Sequence, residues 1–427
     1  MGGDLNLGIQ FKDETASPRS KMEFDHVVVG AGVIGSATAF HLKSMDPDSN
    51  ILLLERENRA GAGNTAKSAA LYRNIFSTEI SRKMATSSIR YYLSLGDKVQ
   101  IKPIGYLWLF SEDQWKASSP AVNTLDPRRD ELEFIEDADI KKMLKINTAG
   151  VGKFPGVDHG IWGHLCGSLS GMGLAQHYAE SFKELGGELR YDTEIDELRL
   201  RGKGSRHAPW DDKGIEEIAD SSGNTISAKD YIFAVGAWSQ ELLGEIGVFT
   251  GVLPKKRQLF GIRIDDPGQV ASGMELDKVP ALILPAGGAY IKPILDRKLM
   301  ILGLADDLGQ PYDMRDPGYD EDYFKLGIEP VIGHYFPLLR DYELKMRWAG
   351  YYAYHWPDKN PVIENIANLF WSSGTSGSGI MKADALGRIT AGRVLGKSNV
   401  SLFDGTIIAS DILGLRDRRA GMEKFVI

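Results

Sequence analysis

The chain has 427 residues, of which 43% are hydrophobic and 25% are charged, and its formal net charge is −8. These values are ordinary for a globular protein, and the length predicts two domains with a large core. The acidic balance and the lack of a basic stripe argue against a nucleic-acid partner. A single cysteine, Cys166, excludes an intrachain disulfide and a zinc cluster, so we expect no metal site and a reducing, cytoplasmic setting.

Two features of the sequence bear on its relation to a membrane. No run of 18 apolar residues is present, so no transmembrane helix is expected. Residues 1–22 are polar and lack the apolar region of a signal peptide, and we expect them to form a flexible tail.

The first element predicted in chain order is a βαβ unit over residues 25–55. The run HVVVGAGVIG places Gly30, Gly32 and Gly35 after an apolar strand, and Glu55 ends the next apolar run, ILLLE. Gly30 permits a tight turn, Gly32 lets the backbone approach a pyrophosphate, and Gly35 lets the helix pack closely on the strand. The helix N-terminus suits phosphates, and Glu55 can accept hydrogen bonds from a ribose 2′-OH while repelling a 2′-phosphate. The pattern therefore predicts dinucleotide binding and argues against NADP, with a glycine-rich surface turn as the alternative.

The next hundred residues have a less regular pattern. Residues 59–73 are rich in Gly, Ala and Ser, which suits backbone that lies against a ligand. Residues 79–95 predict a helix, and residues 101–110 predict a strand. The stretch 112–160 is polar and is expected to be mainly loop, with one helix near 137–145.

A second helix–strand pattern follows. Residues 171–185 have helical spacing that ends at the Gly186–Gly187 pair, and ELRYDTEIDELRL then predicts one strand. Residues 201–214 are polar and are expected to form an exposed turn. Residues 230–235 predict a buried strand.

The remaining chain changes character twice. Residues 251–345 are rich in predicted strands, with a helix around 320–336. NLFWSSG then predicts a strand, and SGSGIMKADALGRITAGRVLG predicts a helix that glycines open. The charged end, RDRRAGMEKFVI, is read either as a packed arm or as a frayed end.

The order of these pieces predicts an α/β fold with two domains. Glycine, strand and helix patterns lie at the start, middle and end of the chain, and β-rich pieces lie between them. We expect a discontinuous Rossmann-type dinucleotide-binding domain interleaved with a β-sheet-rich, α+β substrate domain. The first domain is assigned residues 23–95, 161–250 and 346–427, and the second is assigned residues 96–160 and 251–345.

Three separated segments resemble one protein family. They are VVVGAGVIGSATAFHL with LLLE, DYIFAVGAWSQELLGEIG, and YAYHWPDKNPVIE followed by NLFWSSGTSGSGIMKADALGRITAGRVLG. Together they are similar to the D-amino-acid-oxidase-like flavoproteins, and within them to the sarcosine oxidase and dye-linked L-proline dehydrogenase branch. The resemblance covers residues 24–396 in outline and implies FAD rather than NAD. An NAD-binding scaffold without flavin would leave the SGSGI helix unexplained.

The resemblance implies a set of FAD-binding residues. Residues 376–380 open the last helix, and in the family that helix end faces the flavin N1–C2=O edge. Its dipole would there stabilise the negative charge of the reduced ring. The residues that the resemblance assigns to FAD are Gly30, Gly32, Val33, Ile34, Gly35, Glu55, Arg56, Asn64, Thr65, Lys67, Ser68, Ala69, Ala70, Glu194, Ile195, Ala234, Gly236, Trp238, Gly377, Ser378, Gly379, Ile380 and Met381.

Two departures from the family pattern concern the flavin. The cysteine that bonds the flavin covalently in flavin-linked sarcosine oxidases is matched here by Tyr351, so we expect non-covalent FAD. Those oxidases also carry a lysine near the flavin N5 that promotes the reaction with O₂. The matching residue here is Ile301, although a shift of two or three residues reaches Lys298. With Ile301 at this position, O₂ reduction is expected to be slow and the chain is expected to be a dehydrogenase.

The resemblance also implies residues around the substrate. Arg73 would pair with a substrate carboxylate, for which the planar guanidinium is suited because it donates two parallel hydrogen bonds. Tyr290 and the neighbouring Tyr351, Tyr352 and Tyr354 would supply hydroxyl groups or an aromatic wall, with core packing as the alternative for each. Lys382 matches, to within one residue, a second carboxylate-binding cation.

The expected activity is oxidation of a small secondary amino acid, L-proline or a sarcosine-like N-methyl amino acid, to the imine by hydride transfer to flavin N5. Electrons would pass to a quinone, a dye or a redox protein. We further expect that the protein could associate peripherally with the inner face of the membrane. The oligomeric state is left open. One rival is a 2-hydroxy-acid or D-amino-acid dehydrogenase or oxidase of the same fold, for which His355 is the candidate base. Another rival is a non-catalytic electron-transfer flavoprotein subunit. Two further histidines, His177 and His334, are expected to be structural.

Overall fold

The computed structural model describes residues 23–201, 214–305, 317–416, 418 and 420–426. The predicted tail, 1–22, and nearly all of the predicted turn at 201–214 lie outside the described residues. Within the described part, no helix combines the length and the apolar character that crossing a membrane requires.

Helices and strands alternate along the described chain. The α-helices are α1 Val33–Met45, α2 Glu79–Leu95, α3 Glu112–Val122, α4 Asp137–Met143, α5 Gly171–Glu184, α6 Ser239–Gly244, α7 Glu321–Tyr323, α8 Glu329–Tyr335 and α9 Ala383–Val394. The strands are β1 Phe24–Val29, β2 Ile51–Leu54, β3 Leu71–Tyr72, β4 Tyr106–Phe110, β5 Leu132–Glu136, β6 His159–Gly163, β7 Gly167–Ser168, β8 Glu188–Arg190, β9 Ile195–Leu200, β10 Ile215–Asp220, β11 Thr225–Ile226, β12 Ala228–Phe233, β13 Val252–Ile264, β14 Ala281–Ile283, β15 Tyr290–Ile294, β16 Leu299–Gly303, β17 Tyr342–His355, β18 Val362–Ile366, β19 Leu369–Ser373, β20 Asn399–Ser401 and β21 Ile407–Ala409.

One sheet carries the predicted βαβ unit at its centre, with the strand order β18-β19-β12-β1-β2-β8. Neighbouring strands are parallel, except that β18 and β19 are antiparallel. The sequence ILLL of β2 is buried at every position, as expected for a strand covered on both faces. Helix α1 packs against α5 and α9. Its contact with α9 is close, since a Cβ at Gly387 would lie 2.7 Å from the Ala37 backbone.

A second sheet has the order β17-β13-β16-β15-β14-β4-β6-β5. Its strands pair antiparallel, apart from the parallel pair β14 and β4. Strands β13 and β17 form a long ribbon, which runs from Val252 opposite His355 to Ile264 opposite Tyr342. The helix predicted around 320–336 is observed as α7, a π-helical segment at Phe324–Ile328 and α8.

Several predicted elements are confirmed with small changes of boundary. The helix predicted at 79–95 is α2, and the helix predicted from residue 171 is α5, which ends before the glycine pair. NLFWSSG contains β19, and the strand predicted at 230–235 is β12. The strand predicted at 101–110 is shorter, since β4 begins only after Gly105, whose φ is +80°.

Residues 112–160 were expected to be loop-rich with one helix near 137–145; that helix is observed as α4, but the stretch has more regular structure than expected. This stretch contains α3, β5, α4 and the start of β6. Helix α3 begins with a capping box, in which the Ser111 hydroxyl accepts from the Gln114 N–H and the Gln114 side chain accepts from the Ser111 N–H. This reciprocal pairing satisfies two main-chain donors of the first turn, and its sequence signature was present in the chain.

The single strand predicted over ELRYDTEIDELRL is wrong. The chain forms β8, turns at Asp192 with φ +52°, and then forms β9. Strand β8 joins the first sheet, whereas β9 pairs with β10 in a separate sheet. A left-handed residue cannot continue a strand, and this one sends the two halves to different sheets.

The domain boundaries stay a prediction, but two of them can be compared with strands. Strand β6 crosses the boundary drawn after residue 160, and β17 crosses the boundary drawn after residue 345. Both strands belong to the second sheet. Since β17 also reaches the residues around the large cavity described below, it physically links the two predicted domains.

Candidate active site

The turn between β1 and α1 is held by close backbone packing. Gly30 has φ +97°, and a Cβ there would lie 2.8 Å from the Ala234 carbonyl oxygen. A Cβ at Gly35 would lie 1.8 Å from the Gly30 carbonyl oxygen. Only glycine fits at these two positions, because one needs the left-handed region and the other leaves no room for a side chain. The turn therefore has the form that the glycine spacing predicts.

The N-terminus of α1 opens onto this turn. Gly32 is its N-cap residue and makes no side-chain cap. The Val33 N–H donates to the Thr65 hydroxyl at 3.2 Å, which joins the turn to the Gly- and Ala-rich segment. First-turn N–H groups and the positive end of the helix dipole suit an anionic group such as a phosphate.

Glu55 follows β2 and lies beside the glycine turn. Its carboxylate accepts from the Ala31 N–H at 2.7 Å and from the Glu57 N–H at 3.1 Å. Burial raises the pKa of this carboxyl, while the two N–H bonds oppose that shift. A buried carboxylate fixed in this way can accept hydrogen bonds from ligand hydroxyl groups.

A cavity of about 540 Å³ extends from this turn to β17 and the segment before α9. That volume lies in the range of cofactor sites. Most of the residues predicted to contact the cofactor lie in its wall, together with Tyr290 and Tyr351; these predicted residues are Gly30, Gly32, Val33, Ile34, Glu55, Arg56, Asn64, Thr65, Lys67, Ser68, Ala69, Glu194, Ile195, Ala234, Gly236, Trp238, Gly377, Gly379 and Ile380.

Four residues predicted to contact the cofactor lie outside this wall. Gly35 is covered by the Gly30 carbonyl, and Ala70 is a left-handed residue with φ +51° behind Ala69. The Ser378 hydroxyl turns back to donate to the Thr375 carbonyl at 2.7 Å. Met381 lines a second, smaller cavity. The structure thus separates residues that shape the site from residues that face the ligand space.

One part of the large cavity is lined by a stacked pair of side chains. The Arg56 guanidinium lies 4.3 Å from the centre of the Trp238 ring and 3.9 Å from a Glu194 carboxylate oxygen. Stacking of this kind fixes a long, half-exposed side chain in one plane. All three residues were predicted to contact the cofactor, and all three line the cavity.

Hydrogen bonds fasten the small-residue segment to the second sheet. The Tyr351 N–H donates to the Asn64 side chain at 2.9 Å, and the Trp348 indole donates to the Lys67 carbonyl at 2.8 Å. The Lys292 ammonium donates to the Ala69 carbonyl at 2.8 Å. The segment predicted to lie under a ligand is therefore held from the side opposite the glycine turn.

A smaller cavity of about 40 Å³ adjoins the large one. Tyr290 and Tyr352 belong to both walls, whereas Arg73 and Tyr106 line only the smaller cavity. Burial raises the pKa of Tyr290 well above its ordinary value, so its hydroxyl stays protonated and can donate. The smaller cavity is thus lined by one guanidinium group and three tyrosine side chains.

Arg73 is buried and held on several sides. Its guanidinium lies 4.2 Å from the centre of the Phe76 ring and 5.1 Å from that of Trp108. One terminal nitrogen donates to the Ile75 carbonyl, and the other donates to the Phe425 carbonyl. The residue predicted to bind a substrate carboxylate is therefore fixed in the wall of the smaller cavity.

Two residues predicted to contact the substrate do not line either cavity. Lys382 is fully buried, and its ammonium donates to the Ser81 and Ser378 hydroxyl groups at 2.9 Å each. Burial lowers the pKa of Lys382 to about 7. The Tyr354 ring lies instead against Lys255 and Trp356. Direct substrate contact is thus not supported for Lys382 or Tyr354, because neither side chain reaches the ligand space.

The histidines singled out from the sequence also lie outside both cavity walls. His355 is buried, and its Nδ1 lies 2.7 Å from an Asp358 carboxylate oxygen. His177 lies 3.2 Å from the Tyr91 hydroxyl, and His334 stacks on Phe154. The described residues therefore place no histidine in the wall of either cavity.

Two residues in the cavity walls, Tyr106 and Arg257, were missed at the sequence level, whereas Tyr352 belonged to the predicted tyrosine cluster. Tyr352 packs its ring on Gly377, where a Cβ would lie 2.5 Å from that ring. Tyr106 lies on β4, and Arg257 is a buried cation on β13 whose guanidinium lies 5.4 Å from the Tyr352 ring centre. Tyr106 lies on the strand predicted at 101–110, so the alternation of faces along that strand was a usable signal for it, since residues two apart share a face.

The single cysteine lies away from the ligand space. Cys166 is buried, lines neither cavity and makes a 3.5 Å contact with the Asn74 side chain. Tyr351, which stands at the matching position of the covalent cysteine, lines the large cavity. A thiol bond to a ligand in this cavity is therefore not supported.

Comparisons with known proteins agree with this geometry. The sequence profile named DAO, FAD dependent oxidoreductase, matches residues 25–393. The chain is 24% identical over 408 residues to FAD-dependent oxidoreductase domain-containing protein 1 of Xenopus laevis, covering 86% of this chain and 78% of that protein. It is 27% identical over 196 residues to sarcosine oxidase subunit beta of Rhodobacter capsulatus, covering 44% of this chain and 46% of that subunit.

A solved structure has the same fold. L-proline dehydrogenase from P. horikoshii superposes with a TM-score of 0.72 at 21% identity, covering 89% of this chain and 96% of that one. At this identity the likeness is evidence for the fold alone. It agrees with the interleaved α/β architecture predicted from the sequence.

Proposed function

Because the chain belongs to the DAO family of FAD-dependent oxidoreductases, we propose that it is a dehydrogenase of a small secondary amino acid. L-proline is the first candidate substrate and a sarcosine-like N-methyl amino acid is the second, each oxidised to the imine. Family membership makes FAD the cofactor, and FAD when bound supplies the two-electron acceptor for this reaction.

The residues of the large cavity fit FAD. The glycine turn and the N-terminus of α1 would hold the pyrophosphate, and Glu55 would accept from ribose hydroxyl groups. The flavin would lie towards β17 and the turn that contains Gly377 and Gly379. Because Cys166 is buried elsewhere, we expect this FAD to be non-covalent.

The observation that carries the proposal is the position of Arg73. Its guanidinium lies in the wall of a small cavity that shares Tyr290 and Tyr352 with the large one. A carboxylate on Arg73 would therefore lie beside the part of the large cavity formed by these tyrosines. The protein would fix the carboxylate by the guanidinium, orient the α-carbon and exclude water with aromatic rings.

The size and lining of the smaller cavity favour a small substrate. About 40 Å³ suits a carboxylate with few further atoms, so the rest of the substrate must reach into the large cavity. Tyr290 and Tyr352 line both cavities and would give the substrate an aromatic wall where it passes from one to the other, which fits the compact apolar ring of proline.

The electron acceptor is proposed on a weaker basis. Ile301 stands at the position of the oxygen-activating lysine, which supports slow reaction with O₂ and transfer to a quinone, a dye or a redox protein. A quinone acceptor would require contact with the inner face of a membrane. The cytoplasmic location and this peripheral contact both stay predictions.

The two rivals are less well supported by the site. A 2-hydroxy-acid dehydrogenase needs a base near the substrate hydroxyl, and the predicted base, His355, is buried against Asp358 outside both cavities. A D-amino-acid enzyme differs in stereochemistry and is separated by the experiment below. A non-catalytic electron-transfer subunit would have no use for a buried arginine and two tyrosines beside the flavin space.

The test is anaerobic titration of the purified yellow protein with L-proline, followed by flavin absorbance. Bleaching that persists in air and reverses with an artificial dye is the expected result. Bleaching that air reverses rapidly would mean an oxidase. Bleaching only with sarcosine, D-proline or lactate would replace the substrate while keeping the fold. The matched control is Arg73→Met, which should retain FAD and fail to bleach at the same proline concentration.

A further inference from the structure

The charged end of the chain is a packed arm, which we define as residues 420–426. Just before the arm, the Arg418 guanidinium bonds the Asp358 carboxylate, with one contact at 3.0 Å. The Asn360 side chain then donates to the Gly421 carbonyl at 2.8 Å, and the Glu423 N–H donates to the Asp358 carbonyl at 3.0 Å. The arm is therefore docked on the turn that follows β17.

Glu423 anchors the arm at the N-terminus of α2. This side chain is fully buried, and its carboxylate accepts from the N–H and the hydroxyl of both Ser77 and Thr78 at 2.7 to 3.0 Å. Thr78 is the N-cap residue of α2 but makes no side-chain cap of its own. The arm thus places a carboxylate just before the first turn of α2, where the helix dipole favours a negative charge.

Phe425 joins the arm to Arg73. Its ring is buried 5.2 Å from the Trp108 ring centre, and its main-chain carbonyl accepts from the Arg73 guanidinium. The second main-chain acceptor, Ile75, is only two residues from Arg73, so Phe425 is the long-range partner. Phe76 and Trp108 flank the guanidinium on its faces.

We propose that the arm is a positioning segment of the substrate site, which holds the Arg73 guanidinium in the orientation that receives a substrate carboxylate. The proposal rests on the function proposed above. Arg73 lines the smaller cavity while it makes these contacts, and Phe425 is not part of that cavity wall. The arm therefore supports the arginine from behind and leaves the cavity accessible to a ligand.

The physical basis is preorganisation. A guanidinium has five N–H donors, and main-chain acceptors that hold some of them fix the plane in which the remaining donors point. A side chain fixed in this way loses less rotational freedom when a carboxylate binds. Without the Phe425 carbonyl, Arg73 would keep its charge but would have to be oriented by the ligand itself.

Glu423 also affects the pKa of a second buried basic residue, Lys382. The negative charge of Glu423 raises the pKa of Lys382, while burial and the nearby Arg73 lower it. Ser81 and Ser378 accept from the Lys382 ammonium, and the Phe76 ring centre lies 3.9 Å from it. The arm therefore adds a carboxylate whose charge acts on Lys382.

The test compares the holoenzyme with Glu423→Gln, Phe425→Ala and a chain truncated before Gly421. The matched control is Glu364→Gln, because Glu364 is also a buried carboxylate but bonds Arg393 and the Leu415 N–H. The ligand probe is cyclopentanecarboxylate, which has the proline carboxylate but no amine to oxidise. Its Kd is read from the flavin difference spectrum, together with FAD content and KM and kcat for L-proline.

Glu423→Gln loosens the anchor of the arm and Phe425→Ala removes the buried ring, so both should let the Phe425 carbonyl move away from Arg73. Both should raise the Kd of the probe and the KM about tenfold, with FAD content unchanged. Turnover at saturating proline should fall by only about threefold, because the loss is in binding. Glu364→Gln should leave the Kd within about twofold. Wild-type Kd in both arm variants, or equal weakening in Glu364→Gln, would overturn the proposal even if the truncated chain fails to fold. No spectral change with the wild-type holoenzyme would instead overturn the proposed function, and the arm proposal with it.

Discussion

Lys292 of β15 stands opposite Ile301 of β16, and its ammonium donates to the Ala69 carbonyl in the segment beside the large cavity. Burial lowers the pKa of Lys292 to about 8. In the family resemblance Ile301 matches the oxygen-activating lysine, and Lys292, which lies opposite Ile301, lines neither cavity. The Lys292 ammonium donates its hydrogen bond within the protein and not into the cavity, which agrees with the slow reduction of O₂ expected from the sequence.

The first prediction concerns this lysine. Lys292→Met should leave the rate of flavin reoxidation by O₂ within about twofold of the wild-type rate, because the ammonium is directed at Ala69 and not at the cavity. The same variant should lose FAD more readily, since the segment around Ala69 is then held by fewer bonds. Stopped-flow reoxidation in air-saturated buffer measures the first effect. A slowing of about tenfold or more would identify Lys292 as an oxygen-activating cation and the chain as an oxidase.

The second prediction concerns the guanidinium of Arg73. Arg73→Lys should raise KM for L-proline by about tenfold or more, because an ammonium cannot make two parallel bonds to a carboxylate and cannot lie between two rings in the same way. Arg56→Lys is the control, since Arg56 lines only the large cavity. It should weaken FAD retention and leave KM for proline unchanged. Steady-state kinetics with a dye acceptor separate the two; a normal KM in the Arg73→Lys enzyme would refute the role given to the arginine.

The third prediction concerns the glycine turn. Gly35→Ala should abolish FAD retention and destabilise the fold, because its Cβ would lie 1.8 Å from the Gly30 carbonyl oxygen, which is backbone and cannot move aside. Gly333→Ala is the matched control, since a Cβ there meets nothing within 4 Å and Gly333 lies in α8, outside both cavity walls. The ratio of flavin to protein absorbance and the Tm report both effects. Equal FAD content in the two variants would contradict the packing described for this turn.

The fourth prediction follows from the lowered pKa of Lys382. The folded pKa of about 7 lies below that of an unfolded lysine, 10.5, so the unfolded chain binds more protons between these values. Stability should therefore rise with pH above about 7, by roughly 2 kcal/mol between pH 7 and pH 9. Lys382→Met lacks this group, so its stability relative to wild type should fall by that amount over the same range. Denaturant unfolding of both proteins at the two pH values tests this, and parallel pH profiles would disprove it.

Local patterns predicted the parts of the site that local sequence controls. Gly30 and Gly35 were assigned from spacing alone, because the turn and the close packing each depend on a missing side chain. The same kind of signal was available but unused for α3, whose capping box joins Ser111 and Gln114. Strands β8 and β9 were merged because nothing in the alternation of residues marks the left-handed turn at Asp192.

The side chains that face the ligand space were predicted less well. Tyr352 and Tyr354 were both expected near the substrate, but Tyr352 packs on Gly377 and lines both cavities, whereas Tyr354 lines neither. Lys382 matched a family position to within one residue, but its burial depends on Ser81, 301 residues away in sequence. The contact between Arg73 and Phe425 spans even more of the chain, so no local pattern could reveal it.

The buried thiol of Cys166 can report how often the surrounding core opens. Burial raises its pKa to about 12, and the thiolate is the form that reacts with alkylating reagents. A Cβ at Gly163 would lie 2.6 Å from its sulfur, so the backbone itself closes one approach. Since the sequence contains no second cysteine, the rate at which iodoacetamide modifies the protein should measure how often this part of the core opens. Alkylation as fast as that of a free thiol would mean that the sulfur is accessible in the folded protein.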